Sequence, residues 1–305
     1  MPSNNDLPDK KFPMVFKWNE GPHTKFMEAL NAIRVESVDS PDRFKVLAYL
    51  PRYSLATSED HPVDGYTGVE QQKALDDLFA FKLLPSAMET IRFTFLISNI
   101  DLVDVTHLIR HRTMSFSAHC SGDRDMRHDD VMMKASILNS EFKHRYRELL
   151  KEAKDLYSDM IDSKDISLVD ARTCLPRSLA NHYYASVSLK DLIPYFKQRL
   201  DRQIQPESDN VVALRMLIEV AKVFPEIGRL IDLEAPDMYY INTCPTDHST
   251  NLYEPELKND LFDWKEQWFI YPKTRADMAG GHVFMKLWEE LSQEYWDITA
   301  ELNHD

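Results

Sequence analysis

The stretch from residue 171 to residue 201, ARTCLPRSLANHYYASVSLKDLIPYFKQRLD, carries most of the information about the fold. Its apolar side chains recur every fourth residue, a spacing that places them on one face of an α-helix. Two such runs follow one another, consisting of Leu179, Tyr183 and Val187, and of Leu192, Phe196 and Leu200. The spacing predicts two helices that meet near Ser188.

Ser188 and Asp191 have the spacing of a capping box. In that motif a serine hydroxyl and an acidic side chain three residues later satisfy free amides at a helix N-terminus. Pro194 follows within the first turns, where a proline bends a helix or delays its start. We therefore expect a new helix to begin at or shortly after Ser188.

Outside this stretch, the hydrophobic pattern predicts an α+β protein that is mostly helical. Alternating and β-branched segments predict strands at residues 43–50 and 91–97. Helical spacing predicts further helices at residues 69–84, 102–109, 140–160, 211–231 and 283–302. The helix at 211–231 is expected to be interrupted at Pro225. Core packing is the expected role of four C-terminal tryptophans, Trp264, Trp268, Trp288 and Trp296.

The composition is that of a globular protein without a glycine-rich nucleotide loop. Of 305 residues, 43% are hydrophobic and only 7 are glycine, and neither GxGxxG nor GxxxxGKS/T occurs. The formal net charge of −14 at pH 7 disfavours general electrostatic binding to nucleic acid or to an anionic membrane. Any anionic ligand must therefore be bound by a local basic cluster.

Cysteine usage and the N-terminal residues predict a cytoplasmic protein. Cys120, Cys174 and Cys244 are odd in number and far apart, which matches neither a disulfide framework nor a CxxC metal motif. The first residues lack the apolar segment of a signal peptide, and no apolar run approaches the roughly 18 residues of a membrane span. We expect no membrane and no nucleic-acid polymer as partner.

A basic cluster lies at residues 107–128, HLIRHRTMSFSAHCSGDRDMRH. Its four arginines, four histidines and two aspartates make it positive in an otherwise acidic chain. Guanidinium groups bind phosphate oxygens in pairs and serine hydroxyls add donors, so a small phosphorylated ligand is one interpretation. An intramolecular salt-bridge network with nearby aspartates is the alternative.

Two further interpretations of this cluster involve different chemistry. His107 and His111 lie one helical turn apart and could bind a metal ion, with His128-Asp129 as the His-Asp pair of an HD-type phosphohydrolase. Cys120 could act as a nucleophile, because neighbouring arginines favour the thiolate form of a cysteine. A buried structural cysteine is the competing interpretation.

Four short segments of the chain, taken in sequence order, match the pattern of a known protein family. They are Glu89 with Phe93-Thr94-Phe95; Arg110-His111-Arg112 followed by Ser121; Ala171-Arg172-Thr173-Cys174-Leu175-Pro176; and Ser188-Leu189-Lys190-Asp191-Leu192 continuing in step to Arg199 and Asp201. Together they resemble the flavin-dependent thymidylate synthases, the ThyX family, over residues 43–231.

The resemblance implies a fold, an activity and an assembly. The fold would be ThyX-like, mostly helical with a central antiparallel sheet, with an N-terminal extension at 1–40, a catalytic domain at 41–234 and a C-terminal extension at 235–305 packed on it. The activity would be reductive methylation of dUMP to dTMP with methylene-tetrahydrofolate, FAD and NADPH. Family members are homotetramers with shared FAD sites, so the same assembly is expected.

The resemblance also implies roles for single residues. Arg199 would stand over the pyrimidine as the catalytic residue and stabilise charge that develops there. The implied substrate-binding residues are Ser121, Arg124, Arg172, Arg199 and Arg110. The implied cofactor-binding residues are Arg110, His111, Arg112, Ser188 and Lys190, and no metal is implied.

Several positions depart from the family pattern within the implied site. Ser188 stands where the family has asparagine, and Lys190 stands where it has arginine, which keeps the charge but loses the guanidinium fork. Hydroxymethylation of dUMP or dCMP on the same fold is therefore an alternative, and a non-catalytic nucleotide-binding protein is another. Pro206 and the polar residues 208–210 also predict a break in the helix after Arg199.

Overall fold

The computed structural model describes residues 25–43, 67–118, 124–200, 207–233, 240–242, 270–274 and 280–300. Its strands are β1 (Phe26–Glu28), β2 (Arg34–Asp39), β3 (Arg92–Ile100), β4 (Ser115–Ala118), β5 (Val131–Met133), β6 (Asn181–Ser188), β7 (Tyr240–Asn242) and β8 (Ile270–Thr274). Its α-helices are α1 (Ala29–Ala32), α2 (Gly68–Phe79), α3 (Ala87–Thr90), α4 (Leu102–Leu108), α5 (Ala135–Leu138), α6 (Lys143–Ser163), α7 (Leu168–Ala171), α8 (Leu189–Arg199), α9 (Glu207–Val223) and α10 (Gly281–Ala300). Short 3-10 helices cover Arg172–Cys174 and Pro225–Arg229. The predicted α+β class is confirmed.

A four-stranded antiparallel sheet in the order β2-β3-β6-β4 forms the centre of the fold. In its middle, Phe93 pairs with Val187 and Phe95 pairs with Ala185. All four side chains are fully buried, because alternate positions of both strands face the helices on one side of the sheet. The central antiparallel sheet that the resemblance implies is therefore confirmed.

Residues 181–188 form a strand rather than the predicted helix. The buried residues of β6, among them Tyr183, Ala185 and Val187, alternate with more exposed ones. A four-residue spacing fits both structures, because every fourth residue of a strand also lies on one face. The prediction of two helices meeting near Ser188 is wrong, and pairing with β3 and β4 is what makes this segment a strand.

The helix after Ser188 begins where the capping motif predicts. The Ser188 hydroxyl accepts a 3.2 Å hydrogen bond from the amide of Asp191 and donates one of 2.6 Å to the carboxylate of the same residue. Pro194 lies inside α8, which continues to Arg199. The cap thus fixes the start of a helix whose last residue belongs to the candidate site.

The helix that carries Arg199 does end at this residue, as predicted, but the polar residues 208–210 are not part of the break. These residues form the first turn of α9, which begins at Glu207, and all three are buried. Their polar groups bond to partners on other elements, including Lys134 and Arg199, so burial does not leave them unsatisfied. Pro206 lies outside the described residues.

The main hydrophobic core lies between the sheet, α9 and α10. Nearly every residue of α9 from position 208 to position 221 is buried. Five side chains of the C-terminal helix α10 join the same core, namely Phe284, Leu287, Trp288, Leu291 and Tyr295. The hydroxyl of Tyr295 also donates a 2.7 Å hydrogen bond to the carbonyl of Ile231. The C-terminal helix is therefore part of the core that supports the sheet.

A smaller core lies between α6 and β5. Leu150 and Tyr157 of α6 pack with Met126, Val131 and Met133. Charged residues cover the rest of α6, as predicted for an amphipathic surface helix. This core supports the segment that begins at residue 124.

Most other predicted elements are confirmed. The helices α2, α4, α6, α9 and α10 and the strand β3 correspond to predicted segments, and Pro225 begins a 3-10 helix after α9. Strand β2 was not predicted, and residues 44–50 of the strand predicted at 43–50 lie outside the described part. No described helix combines the length and the hydropathy of a membrane span. The boundaries at 1–40, 41–234 and 235–305 remain predictions.

Gly280 is expected to be required for the start of α10. Its φ is +79°, and a Cβ atom there would lie 2.5 Å from backbone atoms of Ala135. We expect Gly280→Ala to lower the free energy of unfolding by about 2–3 kcal/mol, measured by urea denaturation. Gly68→Ala is the matched control, because a Cβ there would meet no atom within 4 Å. Equal stability of the two variants would contradict this explanation.

Candidate functional site

The tripeptide Arg110-His111-Arg112 lies in the turn that follows α4. Backbone hydrogen bonds of 3.1 Å, from His111 to Leu108 and from Met114 to His111, close this turn. Arg110 and Arg112 are exposed, and neither side chain has a bonding partner among the residues that the structure describes. The turn therefore presents two guanidinium groups that an anionic ligand could pair with.

Arg199, the last residue of α8, contacts this turn. Its Nε donates a 2.8 Å hydrogen bond to Nε2 of His111. One η nitrogen lies 3.1 Å from Oδ2 of Asp209, and the other donates to the carbonyl of His107 at 3.3 Å. The Arg199 side chain is only 12% exposed. We call Arg199, His107, His111, Asp209 and Tyr195 the Arg199 cluster.

His111 acts in this cluster as a neutral acceptor. Burial and the positive charge of Arg199 lower the pKa of His111 to about 4. The ring is therefore neutral at pH 7, and Nε2 can accept the hydrogen bond from Arg199. The ring also meets Tyr195 edge-on, with centroids 4.8 Å apart and an interplanar angle of 87°. Burial raises the pKa of the Tyr195 phenol, so that group stays protonated.

Asp209 supplies the negative charge of the cluster. Its side chain is 6% exposed, and burial raises its pKa to about 6, although His107 and Arg199 act in the opposite direction. Nδ1 of His107 lies 3.0 Å from Oδ2 of Asp209, the same oxygen that Arg199 approaches. At pH 7 the carboxylate is mostly ionised and accepts a hydrogen bond from the guanidinium of Arg199, whereas the nearby Nδ1 of His107 forms no hydrogen bond with a described residue.

A second buried network adjoins the Arg199 cluster. Nζ of Lys134 lies 3.0 Å from Asp101 and 3.1 Å from Asp104, and it donates a 3.1 Å hydrogen bond to Ser208. Asp101 also caps α4, and burial raises the pKa of Asp104. Because Ser208 directly precedes Asp209, this network fixes the first turn of α9 and thereby the position of Asp209.

A cavity of about 10 Å³, the space of about one water molecule, lies at the Arg199 cluster. The residues that line it are Ile100, Asp104, Leu108, Tyr195, Arg199, Asp209 and Val212. A nucleotide is far larger than this cavity. A nucleotide site at Arg199 therefore has to extend over the surface around it.

Arg124, a predicted phosphate ligand, lies beside α6. One of its η nitrogens bonds to Asp129 at 2.7 Å, and its Nε is buried without a hydrogen-bond partner among the described residues. Lys154 donates to the carbonyl of Asp129, and the hydroxyl of Tyr157 accepts a 3.2 Å hydrogen bond from the amide of Met126. Helix α6 therefore holds the segment that carries Arg124.

Ser188 and Lys190, two predicted cofactor ligands, lie at the other end of α8 from Arg199. Ser188 is only 2% exposed and its hydroxyl caps α8, whereas Lys190 is exposed and forms an ion pair with a glutamate. Lys190 and Arg199 lie at opposite ends of α8, about 14 Å apart along its axis. Arg172 begins a 3-10 helix, and Ser121 lies outside the described residues.

Two members of the Arg199 cluster were not predicted from the sequence. Tyr195 gave a weak signal, because it precedes Arg199 by four residues and therefore shares a helix face with it. No sequence signal pointed to Asp209, because the polar residues 208–210 predict a break in the helix. Its role became visible only when α9 was found to begin before them.

The His111 ring and the His107 backbone carbonyl both accept hydrogen bonds from Arg199. The His107 ring faces Asp209. Within the described ranges, no three histidine, cysteine, aspartate or glutamate side chains are grouped as metal ligands. The geometry gives the two histidines a part in holding Arg199.

His111 is expected to make stability depend on acid. The unfolded chain protonates this ring below about pH 6.5, whereas the folded protein does so only near pH 4, so its contribution to stability is lost as pH falls through that window. Because the ring is half-buried, we expect solvent screening to reduce the loss at pH 5 to about 1 kcal/mol. His111→Gln keeps an acceptor for Arg199 and should lose about that much less between pH 7 and pH 5, measured by urea denaturation.

The test compares how much stability wild type and His111→Gln each lose between pH 7 and pH 5. Asp209, with its pKa raised to about 6, contributes in the opposite sense over the same range. Both proteins contain Asp209, so its effect largely cancels in the difference. Identical pH profiles of stability for wild type and His111→Gln would contradict a lowered pKa at His111.

Comparison with known proteins finds relatives over the central part of the chain. The model of the family described as thymidylate synthase complementing protein matches residues 37–226. A flavin-dependent thymidylate synthase of Nitratidesulfovibrio vulgaris is 29% identical over 150 residues, which cover 47% of this chain and 61% of that protein. Another, of Saccharolobus solfataricus, is 31% identical over 146 residues, which cover 47% and 54%. The chain thus spans less than two thirds of the length of these relatives.

A solved structure has a similar fold. The UMP/dUMP methylase PolB from Streptomyces cacaoi, bound with 5-Br dUMP, superposes with a TM-score of 0.52 at 22% identity, covering 66% of this chain and 93% of PolB. The same protein bound with 5-Br UMP gives a TM-score of 0.52 at 20% identity over the same shares. At these identities the likeness shows the fold alone.

Proposed function

The chain belongs to the thymidylate synthase complementing protein family, and on that premise we propose that it is an enzyme that modifies the base of dUMP. In detail, the proposed reaction is flavin-dependent reductive methylation of dUMP to dTMP, the activity named for the relatives. The one-carbon donor would be methylene-tetrahydrofolate and the reductant NADPH. The observation that carries the proposal is the hydrogen bond between Arg199 and His111, which joins two of the segments that resemble the family.

Arg199 is the proposed catalytic residue. Its guanidinium is always charged and is held by His111, Asp209 and a backbone carbonyl. A fixed positive charge beside a pyrimidine carbonyl stabilises the negative charge that develops as C5 attacks the one-carbon unit. Such electrostatic catalysis requires no nucleophile from the protein.

The proposed phosphate ligands are Ser121, Arg124 and Arg172, with Arg110 as a further substrate contact. Arg124 supports this role, because its Nε is buried and has no hydrogen-bond partner in the described part of the chain. A phosphate oxygen would satisfy that donor through a charge-assisted hydrogen bond. Helix α6 keeps the segment of Arg124 in place for such a contact.

The proposed FAD ligands are Arg110, His111, Arg112, Ser188 and Lys190. The two exposed arginines fit the anionic diphosphate of a dinucleotide, because their guanidinium groups are not used by the described residues. Ser188 would contribute indirectly, because its hydroxyl holds the start of α8 beside Lys190. Bound flavin would supply the hydride that completes the methyl group.

We further propose a homotetramer in the cytoplasm. In such an assembly, neighbouring chains would cover the exposed arginines of the turn and complete the walls of the nucleotide site. The exposed guanidinium groups of Arg110 and Arg112, which have no bonding partner among the described residues, support a site completed by a second chain.

A hydroxymethylase acting on dUMP or dCMP is the second candidate. It is favoured by the state of two proposed flavin ligands, since the Ser188 hydroxyl caps a helix and Lys190 is paired with Glu89. In that reaction water adds to the methylene intermediate, so the product carries a hydroxymethyl group and no net hydride is consumed.

The proposed function is tested with the purified full chain under anaerobic conditions. The absorption spectrum is recorded with added FAD, and bleaching of the flavin bands is followed after adding NADPH. The protein is then incubated with dUMP, methylene-tetrahydrofolate, FAD and NADPH, and nucleotide products are identified by mass spectrometry, with dCMP in a parallel reaction.

The products separate the candidates, because methyl and hydroxymethyl nucleotides differ by one oxygen. Flavin reduction and a dTMP product are the expected results. A hydroxymethyl product without flavin consumption would replace the first candidate by the second. If neither nucleotide is converted, both enzymatic proposals fail, and binding of dUMP would then indicate a nucleotide-binding protein.

A further inference from the structure

The guanidinium of Arg199 is held from two directions by residues on different elements. His111, in the turn after α4, accepts from Nε at 2.8 Å, and Asp209, in the first turn of α9, lies 3.1 Å from an η nitrogen. These contacts restrain both ends of the guanidinium plane. A planar group restrained at two edges has little freedom to rotate.

The same turn of α9 also holds the backbone of Arg199. The side-chain amide of Asn210 donates a 2.8 Å hydrogen bond to the carbonyl of Arg199. Two successive residues, Asp209 and Asn210, therefore bind the side chain and the main chain of one arginine. Both are buried, with Asn210 fully so, which protects these bonds from competition by water.

We propose that Asp209 is the positioning residue of Arg199, holding the guanidinium in its catalytic orientation before substrate binds. The inference rests on the proposed function of Arg199 and deepens it. Asp209 itself need not touch the substrate, because it acts through Arg199. This positioning role explains why the fold contains a carboxylate at residue 209, although burial disfavours the ionised form of a carboxyl group.

The hold of Asp209 on Arg199 depends on pH. The charged and titratable groups around Asp209 are His107 and Asp104 on α4, Tyr195 and Arg199 on α8, and Lys134 between β5 and α5. Burial raises the pKa of Asp209 to about 6. Above that pH the carboxylate is ionised and holds Arg199, and below it the ion pair is lost, so kcat/KM for dUMP should fall on the acid side with a midpoint near pH 6.

The test compares wild type with Asp209→Asn, Asp209→Glu and the control Glu226→Gln. Glu226 is also a buried carboxylate that binds an arginine, Arg43, but it lies in the 3-10 helix after α9 and touches none of the Arg199 cluster. The first readout is the pH profile of kcat and of KM for dUMP. The second, without ligand, is the NMR resonance of the Arg199 Nε–H, assigned by its loss in Arg199→Lys.

We expect Asp209→Asn to lower kcat by about 10- to 100-fold at pH 7.5 with little change in KM, and to abolish the acid limb. Asp209→Glu should recover part of kcat and keep the limb. Glu226→Gln should lower the free energy of unfolding and leave both kcat and the acid limb of kcat/KM unchanged. In wild type without ligand, the Arg199 resonance should titrate near pH 6, and in Asp209→Asn it should not.

The two readouts separate the positioning role from the proposed function. An inactive wild type whose Arg199 resonance titrates near pH 6 would remove the proposed function and keep Asp209 as the group that holds Arg199. Suppose that wild type is active but Asp209→Asn shows the same titration of the Arg199 resonance and the same acid limb of activity. The positioning role would then be overturned, and the proposed function would stand. If Asp209→Asn fails to fold, the wild-type titration and the Asp209→Glu profile decide the question, and a resonance and an activity that show no acid titration in either protein reject the proposal.

Discussion

Arg199→Lys is expected to lower kcat for the proposed methylation of dUMP by about 10²- to 10³-fold. Lysine keeps the charge but lacks the planar fork, so it cannot donate at once to His111, Asp209 and the carbonyl of His107. The charge would no longer be fixed where the pyrimidine carbonyl becomes negative. Steady-state kinetics at saturating dUMP, with methylene-tetrahydrofolate, FAD and NADPH present, measure the effect.

The matched control is Arg229→Lys. Arg229 also pairs with an aspartate, Asp76, at 3.0 Å, but it is 44% exposed and lies in the 3-10 helix after α9. We expect its kcat to equal that of wild type. Thermal unfolding of both variants shows whether each is folded at the assay temperature. A folded Arg199→Lys protein with kcat within about tenfold of wild type would contradict a catalytic role for the guanidinium.

Trp288→Ala is expected to lower the free energy of unfolding by about 3–5 kcal/mol, a large part of the stability of a typical domain. The Trp288 side chain is 1% exposed and packs in the core between α9 and α10, with its ring centroid 5.8 Å from that of Phe284. Its removal leaves a cavity that the surrounding helices can only partly fill. Urea denaturation followed by circular dichroism measures the change.

Lys286→Ala is the control for this substitution. Lys286 lies on the same helix, two residues away, and its side chain is 78% exposed, so its replacement should change stability by less than about 0.5 kcal/mol. Trp288→Phe retains an aromatic ring and should fall between the two. A Trp288→Ala protein as stable as Lys286→Ala would mean that α10 does not contribute to the main core.

The sequence predicted those elements whose signal is local. Ser188 caps a helix through atoms within three residues of it, so its motif was sufficient to locate the start of α8. The amphipathic helix α6 was likewise visible in its own periodicity. The family resemblance named both Arg110-His111-Arg112 and Arg199 as site residues, but the hydrogen bond between His111 and Arg199 became known only from the structure.

The sequence alone therefore determined the α+β class and the family, and its resemblance to that family named the arginines whose site roles remain predictions. Only the tertiary structure made residues 181–188 a strand, because their four-residue spacing fits a helix and a strand equally well until β3 and β4 supply hydrogen bonds. Only the tertiary structure placed Asp209 in a helix beside Arg199. Its polar turn is stable there because Lys134, Asp104 and Arg199, all distant from it or on other elements, satisfy groups that water would otherwise bind.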